Sequence, residues 1–166
     1  VTDYEGLLKI LGASGARWIL IGGFAATVHG SVRLTVDLDI VYCREPEDVR
    51  RLVSALAPCH PYPRGAPPGL PFLWDAETVL RGLNFTLTTS LGDLDVLGEI
   101  TGGGTYETLL PDTIEVRPFG IPCRCLRLGR LIQVKRAAGR PKDFEAIGEL
   151  ERILEEAGDD PQRPKA

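Results

Sequence analysis

A mixed α and β fold follows from three features of the chain. Short apolar runs, continuous or alternating, read as strands; longer runs with helical spacing lie between them; and glycine or proline marks nearly every change of element. The 166 residues suit one domain. That domain is expected over residues 1–158, with a core over about 17–128, C-terminal helices over about 130–157 and a polar tail over 159–166.

Tyr4 to Leu11 has helical apolar spacing and stops at Gly12 and Gly15. Trp18 to Ile21 is a continuous apolar run, read as a buried strand that Gly22-Gly23 ends. Phe24 to His29 reads as a short helix closed by Gly30, with His29 a helix-terminus residue rather than a ligand. Leu34 to Tyr42 alternates and predicts a second strand. Pro46 to Leu56 is a helix with proline in its first turn and acids near its start. Six prolines between Pro58 and Pro71 predict an exposed loop or lid. Two strands, Asn84 to Thr89 and Asp93 to Leu97, flank Ser90-Leu91-Gly92, and Thr101 to Gly104 is a flexible glycine run. Two more strands, Thr113 to Phe119 and Ile121 to Leu128, meet at Gly120 before helices at about 131–138 and 142–157.

Composition bounds the partners. No apolar run approaches the roughly 20 residues of a membrane span, and no basic-then-apolar leader opens the chain, so a cytoplasmic protein without a membrane partner is expected. The net charge of −4 argues against a generic nucleic-acid binder. That average hides an asymmetry: Arg117 to Lys142 holds eight Lys or Arg and no acid, leaving −12 for the rest. Four cysteines are too few for a disulfide framework, and Cys123 and Cys125 alternate in a strand-like run beside no histidine. Reduced, buried thiols fit better than a zinc site.

Asp37-Leu38-Asp39 is the first sign of chemistry. Residues two apart in a strand share a face, so both carboxylates emerge together. At about 4 Å they repel by roughly 1–4 kcal/mol, which solvation, protonation or a divalent cation relieves. The apolar flanks Val36, Ile40 and Val41 place the strand in the core and favour the cation; the bland alternative is an edge strand with a wet face. A second pair, Asp93-Leu94-Asp95, precedes Val96-Leu97. Gly22-Gly23, at a strand-to-helix turn fourteen residues before Asp37, lets backbone N–H groups approach a phosphate.

The run Ile21-Gly22-Gly23, His29-Gly30, Arg33, Thr35, Asp37-Leu38-Asp39-Ile40 resembles the nucleotidyltransferase superfamily of DNA polymerase beta, most closely the minimal bacterial nucleotidyltransferase-like proteins that include AbiEii-type toxins. Leu131-Ile132, Lys135, Ala137 to Arg140 and Lys142-Asp143 resemble that subgroup's C-terminal helical motif. The resemblance spans about 18–150. It implies a nucleotidyltransferase fold, a central mixed sheet flanked by helices with further helices at the C-terminus. It also implies transfer of a nucleoside monophosphate from a nucleoside triphosphate to a hydroxyl on RNA or tRNA, a protein or a small molecule. Asp37 and Asp39 would bind Mg²⁺ at the phosphates, and Asp95 would be the third carboxylate, preferred over Asp93 for the Val96-Leu97 that follows it. Two Mg²⁺ ions are expected. Gly22, Gly23, Arg33, Thr35, Lys135 and Arg140 would contact the nucleotide, Lys135 and Arg140 by way of its phosphate oxygens. Gly23 stands where many active members carry serine.

Other readings stay open at this stage. Lys135, Arg140, Lys142 and Asp143 also suit a solvated helix turn, and Phe72 and Trp74 either stack on a base or pack inside. Asp37 in Asp-x-Asp after an apolar strand also suits a haloacid-dehalogenase-type phosphatase, although the Gly-Gly turn would then have no task. A catalytically silent binding module, or the partner of a cognate antitoxin, is the alternative outside enzymes. The basic stretch motivates RNA as acceptor.

Overall fold

The computed structural model describes residues 1–161. Helix α1 (Tyr4–Ala13) starts where the Asp3 carboxylate accepts a hydrogen bond from the Gly6 N–H at 2.9 Å. Its Leu7, Leu8 and Leu11 are fully buried, each stabilising by about 1.5–3 kcal/mol. Strand β1 (Trp18–Ile21) is buried throughout and runs directly into α2 (Gly22–Val28). After β2 (Asp37–Tyr42), α3 (Pro46–Leu56) buries Val49, Leu52 and Leu56 in the amphipathic pattern its sequence predicts. Asp48 of α3 is buried, held by the Arg17 backbone N–H and guanidinium, each at 2.8 Å.

The chain continues through β3 (Tyr62–Pro63), α4 (Ala76–Arg81), β4 (Asn84–Thr89), β5 (Gly92–Leu97), β6 (Glu99–Ile100), β7 (Gly104–Thr105) and α5 (Tyr106–Leu109). It closes with β8 (Thr113–Val116), β9 (Cys123–Leu126), α6 (Leu128–Ala138) and α7 (Asp143–Ala157). Seven strands form one sheet in the order β3-β4-β5-β2-β1-β9-β8, while β6 and β7 pair separately. β2 runs parallel to β5 and β1 parallel to β9, and the other neighbours are antiparallel. The expected mixed α+β class, a central mixed sheet flanked by helices, is therefore what forms. No helix among the described residues is long and apolar enough to cross a membrane.

Several expectations change. β2 begins at Asp37 rather than Leu34, and Val36 is 74% exposed rather than in the core. The reason is that β1 ends at Ile21 opposite Asp39, and the Val36 carbonyl accepts a hydrogen bond from the Thr2 hydroxyl instead. The proline-rich stretch is not only loop. Tyr62 and Pro63 add an edge strand to β4, where a proline is tolerated because one side of the strand has no ladder. The glycine run supplies the turn between β6 and β7 at 101–103, with φ of +74° at Gly102, and the first residue of β7 at Gly104. Helices α4 and α5, of six and four residues, lack the length for a readable apolar period, although Asp75 caps α4 by accepting from the Thr78 N–H. The polar tail begins engaged, for Asp159 accepts a hydrogen bond from the Gly129 N–H at 2.6 Å, a favourable charge at the start of α6. Positions 162–166 of that tail lie outside the described residues.

Candidate active site

The site is built from the register of β2 against β5. Asp37 lies opposite Asp93 and Asp39 opposite Asp95. Paired residues share a face of the sheet, so all four carboxylates emerge together. Between them Leu38, Ile40, Leu94 and Val96 are fully buried on the other face, which fixes both strands. Asp37, Asp39 and Asp95 each offer one oxygen to a group whose members lie within 4.8 Å of one another; Asp93 stands outside it.

Crowding shows in the acid chemistry. Burial, then the neighbouring Asp37 and Asp95 charges, push the Asp39 carboxyl up to about 8. Burial and then Asp95 raise Asp37 as well. The cluster thus resists holding its full negative charge without a cation. Hard carboxylate oxygens on three converging side chains suit Mg²⁺ or a similar ion.

The turn between β1 and α2 closes on this cluster. Gly22 has φ of +72°, and a Cβ there would lie 2.0 Å from Asp39 Oδ2, so the position excludes any side chain. A Cβ on Gly23 would lie 2.6 Å from the Thr35 hydroxyl oxygen. Thr35 therefore fills the room a serine side chain at 23 would enter, and its hydroxyl also reaches the Asp37 carbonyl at 3.2 Å.

Opposite stand α6 and the start of α7. Lys135, Arg140, Lys142 and Asp143 line one cleft of about 570 Å³ together with Gly22, Gly23, Thr35, Asp37, Asp39 and Asp95. Arg140 Nε donates to the buried Asp143 carboxylate at 2.8 Å. Arg33 is not among the lining residues; its guanidinium lies 3.7 Å from Glu145. Phe72 and Trp74 do not line the cleft either: Phe72 packs edge-on against Tyr62, and Trp74 packs against Phe85 while its indole N–H donates to the Val53 carbonyl. His29 is the C-cap of α2, buried, with Nε2 2.7 Å from the Leu126 carbonyl. All four cysteines are buried and unbridged.

Three features of the site were not read from the sequence. Arg64, just after β3, contacts Asp95, Asp93 and Asp37 at 2.7, 3.4 and 3.6 Å. The need of four carboxylates for a counter-charge is the signal that points to such a cation, but the prolines around Arg64 read as an exposed loop or lid. Thr2 bridges the strand starts, donating to the Val36 carbonyl and accepting from the Asp93 N–H. Leu34, Val36, Leu131 and Val134 give the cleft an apolar wall, with Leu34 fully exposed and Val36 largely so.

The basic stretch proves partly neutralised. Arg117 pairs with Glu115, Arg130 with Asp112, Arg136 with Glu151 and Arg140 with Asp143, while Arg124 is bound to Thr113. The acids flank the stretch in sequence: Asp112 and Glu115 precede it, and Asp143 and Glu151 follow it.

No protein-family model matches this sequence, and no curated protein does. Solved structures do resemble it. A lincosamide antibiotic adenylyltransferase, LnuA, with lincomycin bound, superposes with a TM-score of 0.61 at 15% identity, covering 92% of this chain and 98% of that one. A Thermotoga maritima protein provisionally described as a nucleotidyltransferase gives 0.54 at 12% identity, covering 92% and 96%. At such identities the likeness is one of fold, and the fold this chain adopts is the one those nucleotidyltransferase structures share.

Proposed function

We propose that this protein is a divalent-cation-dependent nucleotidyltransferase that moves a nucleoside monophosphate from a nucleoside triphosphate to a hydroxyl group of a small molecule. The observation that carries the reading is the convergence of Asp37, Asp39 and Asp95 within 4.8 Å, in a cleft shared with Gly22, Gly23, Lys135 and Arg140. Asp37, Asp39 and Asp95 would hold the metal; bound there, divalent cations would neutralise the triphosphate and the charge that develops on transfer. Gly22 and Gly23 leave the backbone open to phosphate oxygens, and Lys135 and Arg140 supply opposing cations. The acceptor oxygen attacks the α-phosphorus, the bond to the departing pyrophosphate breaks, and Asp95 takes the hydroxyl proton. Thr35 supplies beside Gly23 the hydroxyl that serine supplies in relatives of the superfamily.

A small acceptor is favoured over RNA for two reasons. The apolar wall of Leu34, Val36, Leu131 and Val134 suits a compact, partly apolar molecule better than a phosphate backbone. The arginines that suggested RNA are largely paired with acids. LnuA, the structure of similar fold, was solved with the small molecule lincomycin bound.

The test is incubation with α-labelled nucleoside triphosphates, Mg²⁺ and, in separate arms, a panel of hydroxylated antibiotics, tRNA and a cell lysate. Label on a low-mass product, with pyrophosphate released and the signal lost in Asp37→Ala, Asp39→Ala and Asp95→Ala, is expected. Label on tRNA or protein would overturn the small acceptor, and a stable phosphoenzyme at Asp37 would replace the transferase reading with the phosphatase one. Metal-dependent nucleotide binding without any transfer would mark a silent binding module.

A further inference from the structure

Arg64 Nη2 donates to Asp95 at 2.7 Å and to the Leu87 carbonyl at 2.8 Å, while Nη1 lies 3.6 Å from Asp37 and Nε 3.4 Å from Asp93. Its backbone N–H donates to Thr86 at 2.9 Å, so the edge of the sheet holds the residue in place. The side chain is only 29% exposed, and Nε is buried without a hydrogen-bond partner. One guanidinium thus spends its charge on two of the three carboxylates that converge, and on the fourth that does not.

We infer that Arg64 is the resident counter-cation of the cluster: it holds the carboxylates together before metal arrives, and metal entry requires it to give up Asp37 and Asp95 while Asp93 and the Leu87 carbonyl retain it. The inference rests on the metal-dependent reading above and assigns Asp93 the task of anchoring Arg64. Two consequences have opposite signs. Arg64 lowers metal affinity, since it occupies the same oxygens and repels a second cation nearby. Asp93 raises metal affinity, because it keeps the displaced guanidinium. Lysine cannot replace this geometry, for a point charge lacks the fork that reaches three acids at once.

Mn²⁺ binding to the full chain, followed by calorimetry and electron paramagnetic resonance, tests the inference alongside thermal melting in EDTA. Arg64→Gln is expected to bind Mn²⁺ at least about tenfold more tightly and to melt at lower temperature without metal. Arg64→Lys, which keeps a charge, falls between it and the parent and serves where the glutamine variant folds poorly. Asp93→Asn weakens Mn²⁺ several-fold in the parent, yet within about twofold leaves it unchanged in the Arg64→Gln background. Weaker or unaltered binding in Arg64→Gln overturns the inference, as does an Asp93→Asn effect of equal size in both backgrounds. If the parent itself and every variant fail to bind Mn²⁺, the metal-dependent function falls and the competition falls with it.

Discussion

Replacing Gly22 with alanine tests how the glycine turn and the carboxylate cluster depend on each other. The backbone there has φ of +72°, which costs an L-residue about 1–2 kcal/mol. The new methyl would also lie 2.0 Å from Asp39 Oδ2, 2.8 Å from its Cγ and 2.9 Å from its Cβ. Asp39 has little freedom to retreat, since Leu38 and Ile40 on either side are fully buried in the sheet. Overpacking of this kind adds about 1–3 kcal/mol, so the whole loss is about 2–5 kcal/mol. Urea denaturation in EDTA measures it, and calorimetry with Mn²⁺ is expected to show binding lost as well. Asp39→Ala removes the two closest contacts but keeps Cβ, so alanine at 22 should cost about 1–2 kcal/mol less in that background. Equal losses in both backgrounds, within about 0.5 kcal/mol, would show that the approach to Asp39 is not what excludes a side chain.

Stability without metal should fall as pH rises. Asp39 keeps its proton in the folded state up to about 8 but loses it near 3.8 when unfolded, so between those values rising pH destabilises the fold by up to about 1.4 kcal/mol per unit and has no further effect through this group above about 8. Melting in EDTA across that range, with the slope much reduced in Asp39→Asn, checks the sign; a parent that gains stability over the same window would refute it. Gly23→Ser is expected to cost about 1–3 kcal/mol because its Cβ meets the Thr35 hydroxyl at 2.6 Å, and Thr35→Ala should restore most of the loss in urea denaturation. Lys135→Ala should weaken nucleoside triphosphate binding about tenfold in titration while leaving the melting temperature near that of the parent, a combination that a purely structural lysine would not give.

How much of this was legible in the sequence depends on the range of each signal. Trp18 to Ile21, Pro46 to Leu56 and Asn84 to Thr89 are local patterns with clear punctuation, and all three stand where the sequence put them. The two Asp-x-Asp pairs were visible as strand faces. Their convergence was not, because it depends on the parallel pairing of two strands more than fifty residues apart and on the register that sets Asp39 against Asp95. Arg64 was harder still, since the prolines around it mask a two-residue strand, and its partners are 27 to 31 residues away. Arg33 misled for the opposite reason. Its closeness in sequence to Asp37 suggested a role at the acids, but the backbone leaves the sheet before Asp37 and carries the guanidinium to Glu145.

The register itself argues that this face of the sheet was shaped by something other than stability. Like charges directly opposite one another weaken a strand pair, by roughly 0.2–1 kcal/mol each, and here two such pairs adjoin. The opposite face of the same two strands, formed by Leu38, Leu94 and Val96, carries only buried apolar side chains and no such repulsion. On the acidic face an arginine from just beyond the edge strand β3, a glycine with positive φ and a bridging hydroxyl from Thr2 keep four acids together. Arg64 offsets only part of the charge, and burial and like charges still push Asp39 up to about 8. Residues that keep a repulsive cluster intact are what the proposed cation site requires. The net charge of −4 conceals this, for the acids that matter are few, local and already met halfway by one guanidinium.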